Sequence, residues 1–127
     1  MKLSVITIQL LGLVATGVDA WKVTAFDKVA SCSINGEPRR RVITGAPTLN
    51  GCMTFDRDMP GTGCVEHSGG RTGGCTTGSL FPKAIEFWAT KCLAFRRDNC
   101  NADGGTITVT GRSCIVQNDM RSFYCVG

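Results

Sequence analysis

Glu66, His67 and Arg71 bring a carboxylate, an imidazole and a guanidinium into one short stretch of the chain. A small secreted ribonuclease sets these residue types around a phosphate as general base, general acid and charge stabiliser. His67 is the single histidine, so no second imidazole can serve as its partner. Neighbours within a loop also seldom converge on one substrate atom, which makes a solvated loop the competing reading. The glycines of the same region (Gly61, Gly63, Gly69, Gly70, Gly73 and Gly74) invite a phosphate-loop reading. A Walker loop needs a lysine directly after its last glycine, and none follows here. Arg39-Arg40-Arg41 is the densest basic cluster. It reads as a solvated turn, as a patch for anionic surfaces, or as a dibasic processing site whose cleavage would leave Cys32 on a separate piece. Phe87, with Lys83 and Lys91 one helical turn away on either side, reads as a partner-binding spot or as a side chain covered by the glycine-rich loop. The candidate partner-binding residues are therefore Arg39, Arg40, Arg41, His67, Arg71 and Phe87.

The eight cysteines are Cys32, Cys52, Cys64, Cys75, Cys92, Cys100, Cys114 and Cys125. No Cys-x-x-Cys pair occurs among them, and one histidine cannot complete an imidazole cage, so a zinc site is not expected. An even cysteine count in an oxidising compartment implies four disulfides, with the pairing left open. The first twenty residues point to that compartment. Met1-Lys2 gives a positive start, Leu3 to Ala15 is largely apolar, and Val18-Asp19-Ala20 precedes Trp21 as a cleavage site would. The apolar run falls short of the roughly 20 residues that a membrane span needs, so no transmembrane anchor is expected. The expected organisation is a signal peptide over 1–20 and a single disulfide-rich secreted domain over 21–127. The whole chain carries a net charge of +4 with 19% charged residues, too little for a committed nucleic-acid binder. No cofactor or metal is implied. The Asn-x-Ser/Thr sequon is absent, Asn50-Gly51-Cys52 being only its rare cysteine variant.

These residues must be positioned by a small set of elements. Trp21 to Ser33 is rich in strand formers, Asn35-Gly36 marks a turn, and Arg41 to Thr44 and Cys52 to Phe55 read as short strands. Residues 60–79 read as a glycine-rich loop tied by Cys64 and Cys75. A helix is expected next. Ser79 can cap it, Pro82 suits its first turn, and Phe81, Ile85, Trp88, Cys92 and Phe95 recur at four- and three-residue steps as its core-facing stripe. Arg96-Arg97 would close its last turn, and 99–105 would break the chain. Thr106 to Thr110 alternates, placing Ile107 and Val109 inward and three threonines outward. Asn118-Asp119 suggests a hairpin turn joining 113–117 to 120–126, with Cys114, Val116, Phe123 and Cys125 on one face beneath the helix. The expected fold class is α+β: a small antiparallel sheet packed by one main α-helix and stapled by about four disulfides.

A signal peptide, scattered cysteines, a glycine-rich loop, one helix and several strands make a recognisable format. In that format the chain resembles the small secreted cysteine-rich proteins of filamentous fungi, many of which are candidate effectors. The resemblance covers the whole chain but is one of format, and no functional residue is carried over from it. It implies a non-enzymatic monomer, acting in the host apoplast or inside host cells after delivery. Its partner would be a host protein or a cell-surface or cell-wall component, bound to modulate host defence. The alternatives are an antimicrobial or killer-toxin-like protein acting on competing microbes, and a small secreted ribonuclease.

Overall fold

A computed structural model describes residues 21–46, 51–55, 59, 61–75 and 80–126. The signal-peptide expectation for 1–20 lies outside these residues, as do Ser79 and residues 76–78 of the glycine-rich stretch. Among the described residues eight strands form one antiparallel sheet: β1 (Trp21–Phe26), β2 (Arg40–Gly45), β3 (Met53–Thr54), β4 (Gly63–Ser68), β5 (Arg71–Gly74), β6 (Ala84–Phe95), β7 (Thr106–Ile115) and β8 (Ser122–Val126). The strand order is β3-β8-β6-β1-β2-β4-β5, with β7 paired to β6 off this path. The long β6 therefore organises the fold. β7 runs along one of its edges, while β1 and β8 share the other, β1 on residues 84–88 and β8 on residues 91–95. The sheet curls about an apolar core without closing into a barrel.

The α+β expectation is corrected here. The described residues contain no α-helix, and residues 84–95 form strand β6. The helical appearance of that segment has a local cause. β6 alternates with Ile85, Phe87 and Ala89 buried, and its pairing with β7 then slips between Ala89 and Lys91, so that Thr90 bulges out. One extra residue shifts the phase of the alternation, and Cys92 and Ala94 resume the inward set. A period of two broken by one bulge places Ile85, Ala89 and Cys92 four and three residues apart, which matches a helical stripe. Of the remaining stripe residues, Phe81 and Trp88 are exposed, and Phe95 points away from the face of Ala94 and is buried with its ring 5.9 Å from that of Tyr124.

Two further expectations are corrected. Asn118-Asp119 does not join a hairpin, because β7 and β8 lie on opposite edges of β6 and the 116–121 segment passes between them. Cys114 and Val116 are accordingly exposed, while Phe123 and Cys125 are buried. The glycine-rich stretch is not a loop over 63–74 but the β4–β5 hairpin. Gly69 and Gly70 both take positive φ, 57° and 82°, as the central residues of a type I′ turn must. Other readings are realised. The threonines of 106–110 are exposed, with Ile107 and Val109 partly buried against the core. Four disulfides form, and they join Cys32–Cys114, Cys52–Cys100, Cys64–Cys75 and Cys92–Cys125.

Phe123 is the hub of the core. Its ring centroid lies 5.1 Å from that of Phe55, 5.6 Å from Trp21 and 6.1 Å from Phe87. Trp21 pairs with Gly45 across β1 and β2. A Cβ on Gly45 would stand 2.1 Å from the indole, so only glycine lets the ring lie flat against β2.

Candidate binding surface on the outer sheet face

Strand register sorts side chains to two faces, because alternate residues point opposite ways and paired residues point the same way. Val23, Ile43 and Phe87 share one row on the core face. Their neighbours Lys22, Thr44 and Trp88 share a row on the outer face, which β7 extends with Arg112. Trp88 is 48% exposed there. The Lys22 ammonium lies 4.5 Å from the centre of its ring and the Arg112 guanidinium 5.0 Å. Both distances fall within cation–π range. Arg112 also donates from Nε to Glu86 Oε2 at 3.2 Å, which fixes its head beside the indole. The surface so formed is an exposed tryptophan held between two cations on a rigid sheet.

The same face continues toward β4. Val42 and Val65 pair next to each other, and Val65 is 40% exposed. Beyond them Arg40, His67 and Thr72 form one row across β2, β4 and β5. His67 Nδ1 lies 3.0 Å from the Thr72 hydroxyl. Cys114 also lies on this face, and its bond to Cys32 straps the 27–39 segment over the Phe26 end of the sheet.

The structure separates the other candidate residues. Arg41 is nearly buried on the opposite face, and its Nε donates to Glu66 Oε1 at 2.8 Å. Arg39 Nε lies 3.5 Å from Glu66 Oε2, and Arg39 also pairs with Asp27. The triple-arginine cluster is thus divided: Arg39 and Arg41 serve an internal ion network and only Arg40 stands on the outer face. Burial raises the pKa of Glu66, but the Arg41 hydrogen bond and the charges of Arg39 and Arg41 outweigh it and hold the carboxyl below its ordinary 4.5. Glu66 and His67 are consecutive in β4 and point to opposite faces, so these two groups do not converge on one substrate atom. Arg71 is exposed at the start of β5, on the Glu66 side of the sheet. Phe87 is fully buried in the core and presents no surface to a partner.

Among the described residues all eight cysteines are in disulfides and no cluster of His, Cys, Asp and Glu could hold a metal. No helix there is long and apolar enough to cross a membrane. The sequence reading missed Trp88, Lys22 and Arg112. An alternating reading of 84–89 would have found Trp88, because it turns Phe87 inward and Trp88 outward. Lys22 and Arg112 are brought to it only by strand pairing across long sequence separations. Compared with known proteins, the chain matches no family model, no curated protein and no solved structure.

Proposed function

We propose that this is a secreted, non-enzymatic, effector-like protein that binds a host molecule through the outer sheet face centred on Trp88. The observation that carries the proposal is the half-exposed indole held between Lys22 and Arg112. Tryptophan and arginine are the residue types over-represented where a few side chains dominate binding energy. A rigid strand also removes much of the ordering cost of such an anchor. Four disulfides suit a protein that must survive outside the cell. The cationic side chains of the same face favour a partner that is anionic where it meets Trp88.

A positive, aromatic face would also serve a toxin acting on anionic microbial surfaces, and one experiment separates the two. Oxidised protein spanning 21–127, its Trp88→Ala variant and a reduced control are infiltrated into plant leaf and spotted on microbial lawns. The expected result is a leaf response from the oxidised wild type, lost on Trp88→Ala although that variant keeps its fold, with lawns unaffected. Killing zones over silent leaves would replace the effector reading with the toxin reading. A leaf response undiminished in Trp88→Ala would remove the outer face from the mechanism.

A further inference from the structure

β7 is a sheet edge. Among the described residues it pairs with β6 alone, leaving the other side of its backbone without a strand partner. Proteins normally blunt such edges with short strands, charges, proline or bulges. The opposite edge follows that rule, since β5 is four residues long and begins with Arg71. β7 is ten residues long, and residues 104–111 carry neither charge nor proline. The β6 bulge at Thr90, which faces Thr110 and Gly111, and the strap from Cys114 to Cys32 restrict its upper half. The open part is Thr106–Thr110.

That part reads Thr-Ile-Thr-Val-Thr, nearly the same in both directions. We propose that a second copy of this chain pairs antiparallel along β7, about a two-fold axis through Thr108, and joins two sheets into one. The register sets Thr106 against Thr110, Ile107 against Val109 and Thr108 against its own copy. Every pair then matches threonine with threonine or one β-branched apolar residue with another, both favourable cross-strand combinations. Ile107 and Val109 point toward the core yet remain partly exposed, so the core is open on this side and the partner's Val109 and Ile107 would extend its cover. An isologous contact of this kind closes at two copies and does not propagate. With five paired residues on each side it makes a weak, concentration-dependent dimer, in contrast to the monomer that the sequence format implies.

The test is sedimentation of the oxidised 21–127 chain from micromolar to millimolar concentration, beside a Thr108→Lys variant. Thr108 is exposed, and the substitution sets two lysines against each other at the axis while leaving the Trp88 surface untouched. The expected result is reversible dimerisation of the wild type, weakened about tenfold or more in Thr108→Lys. Hydrogen exchange on the wild type gives an independent readout, with protection rising with concentration at those amides of 106–110 that point away from β6 while amides 71–74 stay unchanged. A wild type that is monomeric throughout would overturn the proposal. So would equal association of the two proteins, or concentration-dependent protection on β5 in place of β7.

Discussion

Two parts of the sheet use the same covalent device in different surroundings. In the β6–β8 part, Cys92 and Cys125 face each other across paired strands and are fully buried among Phe87, Ala94 and Phe123. In the β4–β5 hairpin, Cys64 and Cys75 bridge the base of a ribbon whose second strand is exposed along its whole length. The first disulfide adds to a packed core. The second stands in for one, together with a glycine turn and the network of Asp27, Arg39, Arg41 and Glu66. A curled sheet in a small domain cannot cover all its strands with apolar side chains, because too little of its surface is buried. The hairpin is held by cross-linking and ion pairing where the core does not reach.

The largest effect should come from breaking the packed part directly. Phe123→Ala removes the ring that Trp21, Phe55 and Phe87 contact, and should cost about 3–5 kcal/mol in denaturant unfolding. A loss below about 1 kcal/mol would mean that Phe123 is not the hub. The two disulfides provide a sharper comparison. Replacing Cys92 and Cys125 by alanine should lower global stability by about 2–4 kcal/mol. Replacing Cys64 and Cys75 by serine should cost less globally, while releasing amide protection across 63–74 by local opening. Equal global losses with no local release would show that the hairpin and core unfold as one unit.

A smaller effect belongs to the ion network. Glu66→Gln should cost about 1–2 kcal/mol at neutral pH, since it withdraws the charged partner of Arg41 and Arg39. The folded-state pKa of Glu66 lies below its ordinary value. Its contribution is therefore fully present above that ordinary value and is lost as pH falls through the depressed one. The wild type should lose its advantage over Glu66→Gln in strong acid, read as converging thermal midpoints. A gap that persists there would assign the cost to packing rather than charge. Smallest in stability is Trp88→Ala, about 1 kcal/mol or less for an exposed ring with cation–π contacts. The proposed function requires that same substitution to abolish binding.

Much of the local organisation was legible along the chain. Disulfide formation, the alternation of Thr106 to Thr110, the turn at Asn35-Gly36 and the strands near Arg41 and Met53 depend on neighbouring residues or on cysteine count. Three features were not. The β6 bulge made a strand imitate a helix, and with it Phe87 and Trp88 exchanged expected roles. The turn residues Asn118-Asp119 suggested a hairpin, although both flanking strands chose β6. The glycines of 63–74 suggested a loop, although Gly69 and Gly70 supply the positive φ that a tight hairpin turn needs.

A small cysteine-rich domain, several of its strands and a modest net positive charge follow from the amino-acid order alone. Those properties are sums or nearest-neighbour patterns, and they survive without knowing what lies across the sheet. Which cysteines pair, which arginines meet a carboxylate and which aromatic ring stays in solvent are set by the folded sheet. The physical reason is register. A strand's side chains alternate between faces, so one bulged residue at Thr90 reassigns every side chain beyond it, and the strand against which it bulges lies about twenty residues further along the chain.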